Sequence, residues 1–382
     1  MRSLFIIFTF IFTFNISNVI ATNNQDLYKK LDVFGDVFDL IKKNYVEEID
    51  DEKVIEYAIN GMLQSLDPHS GYMDSEIYVE MKEETRGEFG GLGIEVTMEN
   101  GYVKVISPID DTPAANAGMR PGDYITHIDG EGILGLSLQD AVEKLRGPVG
   151  SKIEITVVRL GEEEPLIVNI KRDIITVQAV KYRPEGNIGY IRLISFSEQA
   201  DKGIKDAVKN LNQEIGADNL SGFILDLRSN PGGLLDQSAK VTNNFLNSGE
   251  IVSIKGRDKK DISRFSASRG DIANGKPLIV LINEGSASAS EIVAGALQDH
   301  KRAIVLGSQS YGKGSVQTIF PLKDSSAIRM TTALYFTPSG DSIHEIGISP
   351  DIEVEGSYDS ENQIDNQLDY ALNLLNKEIS VE

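Results

Sequence analysis

At 382 residues, the chain is long enough for two or three domains. Its net charge of -21, from 58 acidic and 37 basic residues, argues against nucleic-acid binding, because phosphate contacts need clustered Lys and Arg. The lack of cysteine excludes disulfides, a thiolate nucleophile and cysteine metal ligands. The four histidines are scattered, so a histidine-rich metal site is not expected. We also expect no cofactor.

The first 21 residues have the pattern of a signal peptide. Arg2 supplies one positive charge, Leu4–Phe12 is an apolar run, and small residues lead to Ala21, after which we expect cleavage. The alternative is an uncleaved membrane anchor, although this run is short for a spanning helix. We therefore expect an exported protein of the periplasm or cell envelope, and membrane association stays open.

Residues 22–87 are predicted to be helical. A first helix has an apolar face at three- and four-residue spacing, formed by Leu31, Phe34, Val37, Phe38 and Ile41. A second helix is expected over Asp51–Leu66, with Asp50 or Asp51 as its N-cap, and a third over Glu76–Arg86. The turn between them contains His69, which we expect to serve the local backbone, with catalysis as the alternative.

Residues 88–172 change to short strands and glycine turns. A short helix, Pro113–Gly118, is followed by Arg120–Asp123 and Ile128–Gly130, and this order resembles a PDZ domain. The resemblance implies that an extended peptide adds as a strand beside residues 93–96. Its terminal carboxylate would lie on backbone amides of a loop that leads into that strand. The peptide-binding residues would be Gly91, Leu92, Gly93 and Ile94. The alternative role for this domain is that of a structural spacer.

From residue 173 to 355, strands and helices alternate, which indicates crossover connections around one sheet. Gly222–Leu227 is a continuous apolar strand, as expected for burial on both faces. Residues 254–274 are polar and contain glycine, so they are predicted to form a surface loop. An amphipathic helix in residues 356–382 is expected to pack on its own domain or on a partner chain.

The stretch Lys276–Thr318 has the residues best suited to chemistry. An apolar strand ends at Ile282 and runs through small hydroxyl residues into a helical pattern, which is a common setting for a nucleophile. A second apolar run leads to a loop in which glycines flank Lys313. Three kinds of site match parts of this pattern: a phosphate-binding loop, a Ser-His-Asp hydrolase and a Ser-Lys hydrolase.

The phosphate-binding loop matches least well. Gly307, Gly312 and Lys313 form G-x-x-x-x-G-K after a buried strand. The next residue is Gly314, so the hydroxyl that would bind magnesium is missing. Residues 315–321 are predicted to form a strand, whereas a phosphate site needs a helix N-terminus there. We therefore set a nucleotide site aside.

The two hydrolase patterns differ in their base. Ser286 and Ser288 lie in the right kind of turn, but neither has the G-x-S-x-G of a Ser-His-Asp elbow. His300 follows the helix too closely to fold back and is predicted to be exposed, whereas His344 stays open as a base. A lysine base must be buried to lose its proton near neutral pH, and the glycine-framed, apolar setting of Lys313 suits that.

Four motifs resemble the carboxyl-terminal processing peptidases, or tail-specific proteases. They are Leu66–Ser70, Asp226–Gly233, Gly285–Ile292 and Gly307–Gln317. The resemblance covers nearly all of the mature chain, and the motif set is highly specific. It implies a Ser-Lys hydrolase.

By position, the resemblance implies that Ser288 is the nucleophile and that Lys313, 25 residues later, is the base. Gln317 would orient the lysine. In an extended segment an even offset puts two side chains on one face, so Lys313 and Gln317 can point together.

The resemblance also implies an oxyanion hole. Its donors would be the amide of Ala289 and an amide of either Gly232 or Gly233, where the lack of a side chain allows close approach. Ser286 and Ser290 are expected to be small packing residues or helix caps.

We therefore predict a multidomain α+β protein. It would contain an N-terminal helical region, a PDZ-like β/α domain, an α/β peptidase core with a mixed sheet of crotonase-like βα units, and a C-terminal helix. We expect an exported serine endopeptidase that recognises the C-terminal tails of envelope proteins and cleaves with a Ser-Lys dyad. The alternative is a catalytically silent PDZ scaffold. Similar proteins imply a homodimer through the terminal helices, and an adaptor protein stays open.

Overall fold

The structure is a computed structural model that describes residues 25–109, 111–258, 260, 262–268, 270–356, 358–359 and 364–379. The predicted signal peptide lies outside the described residues. The chain divides into two compact units, Met1–Met62 and Leu63–Glu382. Of the helices described, none has the length and apolarity needed to cross a membrane.

The described part of the first unit is helical, as its apolar spacing predicts. Helix α1 is Gln25–Asn44 and helix α2 begins at Asp51 and ends at Gln64. The backbone N–H groups of Glu52 and Lys53 donate to Asp50 Oδ1 at 3.1 and 3.3 Å, so Asp50 is the N-cap of α2.

The second unit begins with a short strand and a helix that lead into the PDZ-like domain. Strand β1 is Gly71–Met73 and helix α3 is Ser75–Arg86. The elements of the PDZ-like domain follow in the order β2 (Glu88–Gly91), β3 (Ile94–Glu99), β4 (Tyr102–Pro108), α4 (Pro113–Asn116), β5 (Tyr124–Ile128), β6 (Glu131–Gly132), α5 (Leu138–Leu145), β7 (Lys152–Val158), β8 (Leu166–Lys171) and β9 (Asp173–Thr176).

The PDZ-like domain has its own core. Its main sheet has the order β3-β4-β5-β7-β8, which makes β3 an edge strand, and β6 pairs with β5. Val103, Ile125 and Ile155 are fully buried in this core together with Ala141 of α5. The chain enters the domain through β2 and leaves through β9, and these two strands pair antiparallel.

The remaining elements form the α/β core. In chain order they are β10 (Val180–Glu185), β11 (Ile188–Leu193), α6 (Ala200–Ile215), β12 (Gly222–Asp226), α7 (Leu235–Asn243), β13 (Gly249–Gly256), β14 (Ile262–Ala267), β15 (Leu278–Ile282), α8 (Ala289–Asp299), β16 (Ile304–Gly307), β17 (Ser315–Pro321), β18 (Ala327–Phe336), β19 (Ile352–Glu353), β20 (Tyr358–Asp359), β21 (Ile364–Asp365) and α9 (Asn366–Ile379).

A mixed sheet organises this core, in the order β10-β11-β12-β15-β16-β19. β10 and β11 are antiparallel, and the following pairs are parallel. Successive residues of β12 and β15 alternate between two buried clusters. Leu225 and Val280 pack with α6, α7 and α8, whereas Ile224 and Ile279 pack with α9. Burial on both faces explains the continuous apolar runs of these strands.

A second sheet carries the hairpin that follows Lys313. Its order is β1-β18-β13-β14, and β17 pairs with β18. The prediction of a surface loop over residues 254–274 is therefore wrong in part, since β13 and β14 form an antiparallel hairpin there. Phe265 and Ala267 pack on the core from one face of β14, while Arg264 and Ser266 are exposed on the other. The multidomain α+β organisation and the mixed sheet are confirmed.

Candidate active site

The candidate site lies at the carboxyl ends of three neighbouring parallel strands, where open α/β sheets bind ligands. β12 leads into the loop Leu227–Leu234, β15 into the turn Asn283–Ser288, and β16 into the loop Ser308–Gly314. The strand register places these loops side by side, since Asp226 pairs with Leu281 and Ile282 with Gly307.

Ser288 occupies the sharp turn between β15 and α8. It is the N-cap residue of α8, with φ 55° and ψ -111°, which is uncommon for a residue with a side chain. The turn is fixed from both sides. Ala287 N–H and Ser290 Oγ both donate to the Asn230 carbonyl, at 3.0 and 2.9 Å, and Ser288 N–H donates to Glu291 Oε2 at 2.7 Å. These contacts stabilise a backbone conformation that is otherwise unfavourable.

The neighbouring serines have structural contacts. Ser286 Oγ donates to the Leu227 carbonyl at 2.8 Å, and Ser290 Oγ bonds to Asn230 as described above. Both serines are fully buried, whereas Ser288 is only partly buried. Among the three serines, Ser288 is thus the one that solvent reaches.

Glu291 connects the serine turn to the lysine loop. Its carboxylate is fully buried and accepts four hydrogen bonds. Oε1 accepts from Ser310 Oγ and Gly312 N–H, each at 2.6 Å, and Oε2 accepts from Ser288 N–H at 2.7 Å and Lys313 N–H at 3.0 Å. Burial raises the pKa of this carboxyl, and the four bonds oppose that rise.

The importance of Glu291 was missed at the sequence level. One signal for it exists: Ser288 and Glu291 have the S-x-x-E spacing of a capping box, in which a glutamate bonds to the N-cap N–H. The structure contains that bond. The pattern does not reveal the contacts to Ser310, Gly312 and Lys313, because these residues are far away in sequence.

The glycines after β12 lie against the nucleophile turn. A Cβ on Gly232 would lie 2.8 Å from Ser288 Cβ and 3.0 Å from Ala289 N. The Gly232 N–H, however, donates to Asn230 Oδ1 at 2.9 Å. Within the described residues, neither Gly233 N–H nor Ala289 N–H donates a hydrogen bond.

The backbone direction of Gly233 follows from its neighbours. Phe196 N–H donates to the Gly232 carbonyl at 3.0 Å, and Leu234 N–H donates to the Phe196 carbonyl at 2.8 Å. In this parallel bridge the Gly233 N–H therefore points away from Phe196. At Gly233 and Ala289, two backbone donors that have no partner within the described part of the chain flank the serine turn.

Lys313 is half-buried and lies in the loop whose backbone N–H groups donate to the Glu291 carboxylate. Burial lowers the pKa of its ammonium below the ordinary value of 10.5, the Arg329 guanidinium lowers it further, and the Glu291 carboxylate opposes both. In the part of the chain that the structure describes, no hydrogen bond joins Lys313 Nζ to Ser288 Oγ. The structure thus brings the two backbones onto one carboxylate but does not bond their side chains.

Gln317 lies on β17 beside the lysine loop. Its Nε2 donates to Thr331 Oγ1 at 2.9 Å and to Ser315 Oγ at 3.1 Å. Its Oε1 is buried and has no hydrogen-bond partner among the described residues. A β-bulge between Val316 and Gln317 interrupts the simple alternation on which the alignment with Lys313 was predicted. Among the described residues, no hydrogen bond joins Gln317 to Lys313.

Three histidines were considered above as candidate site residues, and they lie in different surroundings in the structure. His300 caps the far end of α8, and its Nε2 lies 2.7 Å from the Glu250 carbonyl, so it is less exposed than predicted. The backbone of His344 packs on Gly314, next to Lys313, and its Nδ1 is buried without a partner in the described chain. His69 lies in a turn, as predicted, where its N–H donates to Asp67 Oδ1 at 2.8 Å.

The predicted peptide-binding residues of the PDZ-like domain line a cavity. A cavity of about 130 Å³ lies between residues 91–96 and helix α5. It is lined by Phe89, Gly91, Leu92, Gly93, Ile94, Val96, Val142, Leu145 and Arg146. Within the described chain, the N–H groups of Leu92 and Gly93 have no partners, and β3 is an unpaired edge. An apolar cavity beside an open edge and free amides suits an extended peptide with a terminal carboxylate.

Three family models match the chain. Residues 187–354 match peptidase family S41, residues 104–159 match the PDZ domain, and residues 14–77 match the N-terminal domain of the activating protease CtpB.

Proteases from two bacteria are similar to this chain over most of its length. A carboxy-terminal-processing protease from Bartonella bacilliformis is 60% identical over 337 residues, covering 88% of this chain and 78% of the relative. A probable CtpA-like serine protease from Staphylococcus aureus is 37% identical over 355 residues, covering 92% and 70%. The crystal structure of a putative S41 protease from Bacteroides fragilis is similar in fold, with a TM-score of 0.50 and 15% identity, covering 89% and 97%.

Replacing Glu291 with glutamine should destabilise the protein. The amide NH₂ of Gln would face N–H or O–H donors in place of an acceptor oxygen, so at least two buried donors lose their partner. We expect the free energy of unfolding in urea to fall by about 2 to 4 kcal/mol. The control is Glu284→Gln, an exposed glutamate of the same turn, which should change it by about 0.5 kcal/mol or less. Equal unfolding free energies for the two variants would contradict the central position of this carboxylate.

Proposed function

Because the chain belongs to the carboxy-terminal-processing proteases of peptidase family S41, which are serine-type proteases, we propose that it cleaves with a Ser288-Lys313 dyad. The observation that carries this proposal is the shared carboxylate of Glu291, which binds the backbone N–H of both residues. The lowered pKa of Lys313 supports the role of a base, since only the neutral amine can take a proton.

The proposed reaction begins with attack of Ser288 Oγ on a peptide carbonyl while Lys313 Nζ accepts the hydroxyl proton. The oxyanion that forms is stabilised by the N–H groups of Ala289 and Gly233. We choose Gly233 over Gly232 because the Gly232 N–H is already bonded to Asn230. Lys313 then gives its proton to the leaving amine, and water hydrolyses the acyl enzyme.

We infer that side chains move to assemble this site. Ser288 and Lys313 are not hydrogen-bonded, and the unpaired Oε1 of Gln317 is the acceptor that could orient the lysine Nζ. Supplying a partner to this buried oxygen would stabilise the assembled arrangement. We propose that an occupied peptide groove in the PDZ-like domain favours it.

The substrate class follows from the groove. The free amides of Leu92 and Gly93 and the open β3 edge suit the C-terminal tail of another protein. We propose that the protein is exported, and that envelope proteins with apolar or unstructured tails are its substrates. The signal-peptide pattern of residues 1–21 supports export. An adaptor protein that delivers substrates is compatible with this arrangement.

We also propose that the chain forms a homodimer through α1. Leu31, Phe34 and Val37 lie on one face and keep 55%, 51% and 49% of their surface exposed in the single chain. An apolar helix face of this kind gains stability when a second copy covers it.

Replacing Ser288 with alanine should abolish cleavage of an unfolded test protein that carries an apolar C-terminal tag. We expect a loss on the order of a thousandfold or more in kcat/KM, and nearly the same loss for Lys313→Ala, because dyad members act as a unit. The measurement is the disappearance of the tagged protein on gels. Equal degradation by wild type and Ser288→Ala would disprove the proposed function. Binding of the tag without turnover by wild type would instead support the silent scaffold.

The pH dependence of kcat/KM should reflect the pKa of Lys313. Activity requires the neutral amine, so kcat/KM should rise with pH to a plateau, with its midpoint below the ordinary lysine value of 10.5 because burial lowers the pKa of Lys313. Initial rates on a short peptide give the profile. If His344→Gln abolished the midpoint, a histidine base would replace this assignment.

Replacing Phe34 with aspartate should convert the dimer to a monomer, because a carboxylate cannot be buried in an apolar interface. Sedimentation velocity at about 10 μM, a concentration at which interfaces of moderate affinity are occupied, gives the oligomeric state. Asp36→Asn, an exposed change on the same helix, is the control and should stay dimeric. A wild-type protein that sediments as a monomer at this concentration would contradict the proposal.

A further inference from the structure

We propose that Arg329, with His69, forms a carboxylate-binding subsite beside Lys313, which selects substrates with an acidic side chain next to the bond that is cleaved. This inference rests on the proposed peptidase function. It concerns a position outside the PDZ-like domain, so it adds a second point of sequence selection to the tail recognition described above.

The guanidinium of Arg329 is anchored on one side and free on the other. Its Nε donates to the His69 carbonyl at 3.1 Å, and strand pairing of Arg329 with Gly71 fixes the backbone. Its two Nη groups make no hydrogen bond within the described residues. An arginine held at Nε presents its remaining N–H donors with little loss of conformational freedom, which suits a carboxylate.

The strand register directs Arg329 toward the catalytic lysine. Gln317 pairs with Thr331 across the β17–β18 ladder, and their side chains are hydrogen-bonded. Arg329 is two residues from Thr331 on the same strand, so its side chain leaves the sheet on the same face. The guanidinium is close enough to Lys313 to lower its pKa, which agrees with this placement.

The charges around this position are mainly positive. Lys313, His344 and Arg329 each lie close enough to His69 to lower its pKa, and Arg329 is also close enough to Lys313 to lower that of the lysine. Burial and the Lys313 charge lower the pKa of His69, which favours the neutral imidazole, and Arg329 supplies the charge. This concentration of basic groups is unusual in a chain with a net charge of -21.

The carboxylates near these basic groups already accept hydrogen bonds or are exposed to solvent. Asp67 accepts from Ser70 Oγ at 2.9 Å and from two backbone N–H groups at 2.8 Å. Glu291 has its four donors, and the Glu345 side chain is 86% exposed and lies 4.0 Å from His344 Nε2. Within the described chain, no carboxylate oxygen lies within 4.0 Å of the Arg329 guanidinium. The guanidinium therefore lacks an internal counter-charge that a substrate carboxylate would supply.

The test uses a fluorogenic peptide with an apolar C-terminal tail and a single cleavage site. Each of the three positions on either side of that site carries Glu in one peptide and Gln in its partner. At one position we expect wild type to favour Glu by about tenfold in kcat/KM, since a charge-assisted contact is lost with Gln. Arg329→Gln should reduce this Glu/Gln ratio to near one, and Arg329→Lys should retain part of it.

The ratio is measured within each variant, so it is independent of the fraction of protein that folds. Lys323→Gln removes an equal charge from the exposed turn of the same hairpin and should leave the ratio unchanged. If Arg329 acts only on Lys313, its removal would lower the rates for Glu and Gln peptides equally and shift the pH midpoint upward, which would overturn the subsite.

A second measurement separates this inference from the proposed function. Ser288→Ala binds peptides without cleavage, so fluorescence anisotropy can compare the Glu and Gln peptides directly. Tighter binding of the Glu peptide that Arg329→Gln removes would support the subsite even if turnover were undetectable. Cleavage of all peptides at equal rates, with equal binding, would disprove the subsite and leave the peptidase assignment standing.

Discussion

The buried carboxylate of Glu291 is the constraint on which the active-site region depends. A charge removed from water is tolerated only if its oxygens are bonded, and here the bonds come from two separate loops. The turn of Ser288 and the loop of Lys313 must therefore fold onto the same side chain. Moving either loop would leave a buried oxygen without a donor, so the relative position of the two backbones is set by hydrogen-bond satisfaction.

Asn230 connects the third loop to this pair. Its carbonyl accepts from Ala287 N–H and Ser290 Oγ, its Oδ1 accepts from Gly232 N–H, and its Nδ2 donates to the Leu193 carbonyl at 2.8 Å. Loops from β12, β15 and β16 thus form one hydrogen-bonded layer above the sheet. The backbones in this layer are hydrogen-bonded to buried side chains, whereas no hydrogen bond among the described residues joins the side chains of Ser288, Lys313 and Gln317. The proposed assembly of the dyad therefore concerns side chains whose backbones these hydrogen bonds already hold.

Much of the fold could be predicted because the apolar runs and turn residues of the sequence favour the same strands and turns that tertiary packing requires. The apolar run ending at Ile282 lies between two buried faces, and the small residues after it permit a sharp turn. The hairpin of β13 and β14 could not be predicted, because the two large apolar residues of β14, Ile262 and Phe265, are three positions apart and do not follow the alternation of a half-buried strand. The proposed choice of Gly233 over Gly232 as oxyanion donor could not be made from the sequence, since it depends on the three-dimensional hydrogen bond between Gly232 N–H and the Asn230 side chain.

The pairing of β2 with β9 has a consequence for how this protein diversifies. The chain enters and leaves the PDZ-like domain through two adjacent strands, so the ends of the whole insertion are only one strand spacing apart. A different recognition module with neighbouring termini could occupy this position without altering the sheet that carries the serine. The proposed tail recognition and the proposed cleavage chemistry therefore lie in segments of the chain that can change independently, with this two-stranded junction as the natural point of exchange.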